Sequence, residues 1–158
     1  MIEPLPCNLT LSRTAGDALD AVMEVIEQSF DPRFGEAWTR SQCAGILPMS
    51  GVTLMLAREG ATPVGFSLGR HVVDEAELLL IAVAPPARGK GIALALMQRF
   101  VSDALVDGAR HLHLEVREGN PAVSLYKQQR FVIVGRRAKY YRGTNGEMFD
   151  ALTMARSV

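Results

Sequence analysis

One junction, where an apolar run meets a glycine-rich turn, restricts the fold of this chain more than any other feature. The run Leu78–Val83 predicts a buried strand, and the apolar pattern that starts at Ile92 predicts a helix. The turn Arg88–Gly91 between them, called here the glycine turn, contains two glycines, one arginine and one lysine. Glycines leave an anion free to approach the unpaired N–H groups of a helix start, and the cationic side chains add positive charge. The junction therefore predicts a site for a pyrophosphate group.

The glycine turn does not fit the two commonest nucleotide-binding motifs. Gly-x-x-x-x-Gly-Lys-Ser/Thr is absent, and Gly-x-Gly-x-x-Gly is not completed, because residue 94 is Leu. The pattern Arg/Gln-x-x-Gly-x-Gly/Ala is present, and it resembles the acetyl-CoA loop of the GCN5-related N-acetyltransferases, the GNAT superfamily. A strand-to-helix turn that binds nothing is the alternative. The resemblance implies that acetyl-CoA is contacted by Arg88, Gly89, Lys90, Gly91, Ile92 and Ala93.

The composition is that of an ordinary globular protein and favours a local anion site. A length of 158 residues predicts one domain with a substantial core, over residues 1–158. Lys and Arg number 17, as do Asp and Glu, so no net charge attracts nucleic acid or an anionic membrane. Cys7 and Cys43 lack metal-ligand spacing, and the start of the chain lacks a secretion signal. We therefore expect a cytoplasmic monomer or weak homo-oligomer with no metal, nucleic acid or membrane partner.

The order of predicted elements is strand, two helices, three strands, helix, strand, helix and two strands, which gives an α+β fold. It matches the GNAT fold, a mixed but mostly antiparallel sheet with helices on both faces, over nearly the entire chain. In that family the fourth and fifth strands splay apart. The resemblance implies that the pantetheine arm pairs with the main chain of Ile81, Ala82 and Val83. The predicted strands are 7–12, 52–58, 63–73, 75–83, 111–116, 131–134 and 148–154, and the predicted helices are 17–30, one capped by Thr39, one from Ile92 that Gly108 ends, and 121–129.

Two residues carry the chemistry that the resemblance implies. Leu114-Glu115-Val116-Arg117-Glu118-Gly119-Asn120, followed by Leu125-Tyr126, resembles the ribosomal-protein-alanine N-acetyltransferases, the RimI-type branch of GNAT. In that branch Glu115 is the general base, Tyr126 the general acid beside the thioester sulfur, and Asn120 a cofactor contact.

Structural roles for the same residues remain open. Glu115 shares a strand face with His111 and His113, and such a face is commonly solvated; Tyr126 could be a packed helix residue. Glu77 is the alternative base, because other GNAT branches use a carboxylate on that strand. The two histidines lack a third ligand, so we predict no zinc site.

The chain departs from the family pattern at two points. Arg130 precedes Phe131 where the family usually has Gly, and the segment from Glu115 to Tyr126 is one residue shorter than in the RimI pattern. Either departure could shift Tyr126 relative to its position in the family pattern.

Aromatic residues suggest where the acceptor enters. Phe34 and Trp38 lie between the first two helices, and Tyr140 and Tyr141 lie in the predicted connection between the last two strands. By resemblance to N-terminal acetyltransferases, these four residues line a peptide entrance. A closing Asp150-Ala151 pair is also similar to the RimI type. A core position is the alternative for Trp38.

The sequence therefore predicts an acetyl-CoA-dependent N-acetyltransferase that works through a direct ternary complex. The resemblance to the RimI type implies that the acceptor is the N-terminal α-amine, by this family resemblance that of alanine, of a small-subunit ribosomal protein. An α-amine has a pKa near 8, whereas a lysine amine near 10.4 is harder to deprotonate. The alternatives are acetylation of a small-molecule amine or a lysine side chain, and a noncatalytic acyl-CoA-binding module.

Overall fold

The computed structural model describes residues 5–14 and 16–158, which form one seven-stranded sheet with four α-helices. Three short 3₁₀ turns lie before the first α-helix, after it, and just before the glycine turn. The strands are β1 (Leu9–Thr14), β2 (Val52–Glu59), β3 (Thr62–Val72), β4 (Glu75–Val83), β5 (His111–Arg117), β6 (Val132–Arg142) and β7 (Met148–Ser157). The helices are α1 (Leu19–Ser29), α2 (Arg40–Ile46), α3 (Ile92–Val106) and α4 (Ala122–Gln128).

The sheet has the order β1-β2-β3-β4-β5-β7-β6, and only the β4–β5 pair is parallel. Successive residues of a strand face opposite sides, so β2 divides its apolar side chains between two helices. Leu54 and Leu56 pack in a cluster with α1, whereas Met55 and Ala57 pack with the start of α3. The α+β prediction, with helices on both faces of a mostly antiparallel sheet, is confirmed.

The central strand pair separates partway along its length. β4 and β5 pair only from Glu75↔His111 to Leu78↔Leu114. On the other side of β4, the register with β3 shifts by one residue just after Leu78, which places a bulge at Leu79. A bulge increases the local twist of a strand, so β4 turns away from β5 where their pairing ends. The predicted splay is present, and it opens a cleft between the two strands.

Several predicted boundaries were wrong, most of all that of β6. This strand was predicted to end at residue 134 but continues to Arg142, so Tyr140 and Tyr141 lie within it rather than in the following connection. The polar and cationic residues 136–142 carry no apolar alternation, and their pairing with β7 is a tertiary effect that periodicity does not reveal. β1 and α1 each begin two residues later than predicted. No helix among the described residues is long and apolar enough to cross a bilayer.

Candidate active site

The cleft between β4 and β5 opens into a cavity of about 640 Å³, called here the larger cavity. The end of β4, the glycine turn and the first residues of α3 form one wall, and α4 with the loop before it forms the other. Of the residues predicted to bind the cofactor, its lining contains Ile81, Ala82, Val83, Arg88, Gly89, Gly91, Ile92, Ala93, Asn120 and Tyr126.

The glycine turn leaves the start of α3 free to bind an anion. Gly89 and Gly91 both have φ of +80°, a left-handed conformation that glycine adopts without steric cost. Gly91 is the N-cap of α3, and no side chain of the described residues caps that end. The first intrahelical bond of the helix joins the Ala95 N–H to the Gly91 carbonyl, so the preceding N–H groups have no intrahelical partner. These groups fit the phosphates of a cofactor.

The two cationic side chains of the turn do not both face the cavity. Arg88 donates from Nε to the Val83 carbonyl at 3.0 Å and from Nη2 to the Ser29 carbonyl at 2.9 Å. It therefore fastens the turn to β4 and to the end of α1. Lys90 Nζ lies 3.4 Å from Glu59 Oε1, and Lys90 does not line the larger cavity. The Lys90 side chain is therefore directed toward Glu59 and not into the larger cavity, so a contact of Lys90 with an anion there would come from its main chain. The predicted contact stays a prediction.

A second cavity of about 190 Å³ adjoins the first, and we call it the acceptor cavity. It brings together side chains that are far apart in the sequence, including both candidate bases. Its lining includes Trp38, Glu77, Glu115, Tyr126, Tyr140 and Tyr141. Trp38 also packs against the α1 cluster, so its core and entrance interpretations are compatible.

The two candidate bases differ in their partners. Glu115 is 18% exposed, and its Oε1 lies 2.7 Å from Arg137 Nε. Glu77 is 26% exposed, and its Oε2 lies 3.1 Å from Arg70 Nη2 and 3.7 Å from His113 Nε2. Within the described residues, no group of three or more His, Cys, Asp or Glu side chains is arranged to hold a metal ion.

Tyr126 lies where the two cavities meet, since it lines both. Its side chain is buried, and its ring makes an edge contact with Phe131 at 6.4 Å between centroids. Burial, and secondly the Glu36 carboxylate, raise the pKa of the Tyr126 phenol above its ordinary value. The hydroxyl is therefore protonated at neutral pH and available as a donor.

A buried ion pair lies, like Tyr126, where the two cavities meet. Neither of its residues was assigned a role from the sequence. Arg117 Nε and Glu36 Oε1 are 3.1 Å apart, their side chains are 9% and 12% exposed, and both residues line both cavities. The Arg117 guanidinium lies 3.7 Å from the centre of the Phe34 ring. Arg117 could have been found from its position two residues after Glu115, which places both on one strand face. No comparable signal pointed to Glu36.

Two predicted contacts have additional roles. Asn120 donates from Nδ2 to Glu36 at 2.9 Å and accepts the Ala122 N–H at 2.8 Å, so it orients the buried carboxylate and caps α4. Phe34 lines the larger cavity rather than the acceptor cavity, and its ring contacts both the Arg117 guanidinium and the Phe149 ring. Its predicted role at the peptide entrance stays a prediction.

The tyrosine pair forms the outer wall of the acceptor cavity. The rings of Tyr140 and Tyr141 meet edge to face with centroids 4.9 Å apart. Burial, and secondly the Glu115 carboxylate, raise the pKa of Tyr140. Burial and then Glu36 raise the pKa of Tyr141. Both phenols are therefore protonated donors that face carboxylates.

The structure shows what accompanies the two departures from the family pattern, at Arg130 and in the segment before Tyr126. Arg130 has φ of +68°, a left-handed conformation that explains why a glycine is usual there. Despite the shorter preceding segment, Tyr126 reaches both cavities from α4.

Comparisons with known proteins agree with this geometry. Residues 19–131 match the sequence model of the acetyltransferase (GNAT) family. A [ribosomal protein bS18]-alanine N-acetyltransferase of Haemophilus influenzae is 36% identical over 92 residues, which cover 58% of this chain and 63% of that protein. A streptothricin acetyltransferase of Streptomyces lavendulae is 42% identical over 76 residues, which cover 48% of this chain and 40% of that protein.

The fold is also found in solved structures. The crystal structure of the ribosomal-protein-S18-alanine N-acetyltransferase from Escherichia coli superposes with a TM-score of 0.85 and 26% sequence identity. The superposition covers 95% of this chain and 94% of that chain.

Proposed function

The chain belongs to the GNAT family of acetyltransferases, and we propose that it transfers the acetyl group of acetyl-CoA to a protein N-terminal α-amine. The proposed acceptor is the N-terminal alanine of a small-subunit ribosomal protein, in the cytoplasm. The names of the Haemophilus influenzae and Escherichia coli proteins support this acceptor. One observation carries the proposal: Tyr126 lines both cavities. The candidate anion site lies in the larger cavity, and the two candidate bases lie in the acceptor cavity.

The volume and the hydrogen-bond donors of the larger cavity support acetyl-CoA as its ligand. The N–H groups at the start of α3 suit its phosphates. The unpaired edge of β4 beyond Leu78 suits the amides of its pantetheine arm, which can add to the sheet as a strand would. The Val83 carbonyl already accepts a hydrogen bond from Arg88, so we assign the strand-like contacts mainly to Ile81 and Ala82. When bound there, the cofactor supplies an acetyl group activated as a thioester.

Two residues handle protons in the proposed reaction. Glu115 accepts the proton that the amine must lose before it attacks, directly or through a water molecule. Tyr126 donates a proton to the leaving thiolate; a phenol has an ordinary pKa of about 10 and so carries that proton at neutral pH. Glu77 remains the alternative base, because it lines the same cavity.

The acceptor cavity suits a cationic amine that arrives from solvent. Glu36, Glu77 and Glu115 all line it. Each is paired with an arginine, and their carboxylate oxygens are the acceptors available to an incoming ammonium group. A peptide α-ammonium has a pKa near 8 and loses its proton more readily than a lysine near 10.4. Tyr140 and Tyr141 supply flat walls with hydroxyl donors for the peptide main chain.

A small-molecule amine is the second candidate acceptor. The similarity to the streptothricin acetyltransferase supports it, since that relative's name indicates action on streptothricin. The carboxylate oxygens that would accept hydrogen bonds from a peptide ammonium are equally available to such a cation.

Mass spectrometry with acetyl-CoA separates these acceptors. A peptide that begins with alanine and has the sequence of a bacterial bS18 N-terminus should gain one acetyl group on its α-amine. The same peptide with a blocked N-terminus and one internal lysine is the control and should gain none. Acetylation of streptothricin but of neither peptide would establish the second candidate. Binding of acetyl-CoA without turnover on any amine would instead indicate a noncatalytic module.

A further inference from the structure

Tyr140 and Tyr141 are neighbours in a strand, yet both face the acceptor cavity. In a regular strand successive side chains point to opposite faces of the sheet. The β6–β7 register passes from Arg137↔Ala151 to Tyr141↔Phe149. The three residues 138–140 therefore lie opposite one residue of β7. This β6 bulge allows two adjacent rings to meet at 4.9 Å and line one wall.

Asp150 is the single residue of β7 that lies opposite the β6 bulge. Its Oδ1 accepts the Lys139 N–H at 2.9 Å. Lys139 has φ of +53°, a conformation that residues other than glycine rarely adopt. Such a conformation persists only where the surroundings determine it, and the Asp150 hydrogen bond is directed at this residue.

The same carboxylate also has an ionic contact. Asp150 Oδ2 lies 3.3 Å from Arg136 Nη1, and Arg136 also pairs with Glu118. The side chains of Arg136 and Asp150 are 52% and 32% exposed, and ion pairs exposed to this extent contribute little to stability. The ionic contact is therefore the weaker of the two, and the main-chain hydrogen bond is the one that defines the bulge.

We propose that Asp150 is a positioning residue for the acceptor: by accepting the Lys139 N–H, it fixes the β6 bulge that directs Tyr140 and Tyr141 into the acceptor cavity. The inference rests on the proposed function, because acceptor binding is assigned to that cavity there. Asp150 does not itself line either cavity, so its effect on the reaction passes through the two tyrosines.

Steady-state kinetics of three variants test this role. Asp150→Ala should raise the KM for the acceptor peptide about 10-fold, because the tyrosine wall is no longer held, and change the KM for acetyl-CoA by less than about 2-fold. Asp150→Asn retains an oxygen that accepts the Lys139 N–H and should stay within about 3-fold of the unmodified protein. Arg136→Gln removes the ionic contacts of Arg136 with Asp150 and Glu118, leaves the Lys139 hydrogen bond in place, and should behave similarly.

Hydrogen exchange followed by NMR gives a second measurement that does not depend on turnover. The Lys139 amide should be protected in the unmodified protein, in Asp150→Asn and in Arg136→Gln, and should lose protection in Asp150→Ala. Equal kinetic losses in Asp150→Asn and Arg136→Gln would assign the effect to the ion pairs and overturn the proposal. An Asp150→Ala protein with a protected Lys139 amide would also overturn it.

The two proposals can fail separately. If the unmodified protein acetylates no peptide N-terminus, the proposed function fails, and the role of Asp150 at the β6 bulge is then decided by the Lys139 exchange alone. If peptide acetylation is normal and Asp150→Ala leaves the peptide KM unchanged, only the positioning role fails.

Discussion

The larger cavity and the acceptor cavity are adjacent but are built in different ways. The anion site of the larger cavity comes from one continuous segment, the end of β4 through the start of α3, and its donors are main-chain groups. The acceptor cavity is assembled from side chains of five separate segments, which meet only when the sheet has formed. The first kind of site depends on backbone conformation, and the second depends on tertiary contacts. The two should therefore respond differently to substitution.

The largest expected effect is at the anion site. Gly91→Glu adds bulk and negative charge at the start of α3, in place of a glycine with φ of +80°. Affinity for acetyl-CoA should fall at least about 100-fold by calorimetry. Gly146→Glu is the control, because Gly146 has φ of +83° and open space around it in the β6–β7 turn. If Gly91→Glu binds acetyl-CoA with unchanged affinity, the glycine turn is not part of the cofactor site.

The next effect is confined to the acceptor cavity. Glu115→Gln should lower kcat about 100-fold, since it removes a general base, and leave acetyl-CoA affinity within about 2-fold. Glu77→Gln is the matched control, because Glu77 lines the same cavity and also pairs with an arginine. Stopped-flow or steady-state assay at neutral pH checks both variants. If Glu115→Gln is fully active and Glu77→Gln is inactive, Glu77 is the general base and Glu115 is not.

A third experiment tests the wall that the two cavities share. Arg117→Met leaves Glu36 buried without its cation and should cost about 3 kcal/mol of unfolding free energy. Arg13→Met breaks an exposed pair with Asp103 and should cost less than about 0.5 kcal/mol. Urea denaturation measures both. Similar losses in the two variants would show that the Glu36–Arg117 pair does not act as a buried pair.

The smallest expected effect concerns the segment that carries Tyr126. Arg130→Gly should raise unfolding free energy by about 1 kcal/mol, because glycine relieves the left-handed conformation at φ of +68°. The melting temperature should rise by about 2–4 °C. Lys127→Gly, an exposed position inside α4, should lower stability by about 1 kcal/mol. A destabilised Arg130→Gly protein would mean that the arginine side chain makes a contact stronger than the strain.

The contrast between the cavities also explains what the sequence could and could not predict. Gly89 and Gly91 are adjacent to the strand and helix they join, so their proposed role could be predicted from a few consecutive residues. Glu115 and Tyr126 were predicted from a short motif of the same kind. Glu36 and Asp150 act through partners 81 and 11 residues away, Arg117 and Lys139. No local pattern encodes either contact.

The fold, too, could be predicted only where it depends on local sequence patterns or on the family resemblance. Apolar alternation and glycine positions predicted the element order and the splay, because these depend on local conformation and on the family resemblance. The end of β6 was missed, since its cationic second half is held in the sheet by β7 and not by its own apolar residues. The direction of the Lys90 side chain, away from the larger cavity, was likewise missed, because it depends on Glu59 in another strand.

The early end of the β4–β5 pairing leaves the two halves of the sheet joined through only four pairs of residues. A molecule that binds the cleft between these strands in the folded state alone raises the free energy of unfolding by an amount that depends on its concentration. At a concentration 100 times its Kd, such a ligand contributes about 2.7 kcal/mol. If acetyl-CoA binds there as proposed, its concentration sets part of the stability of the folded protein.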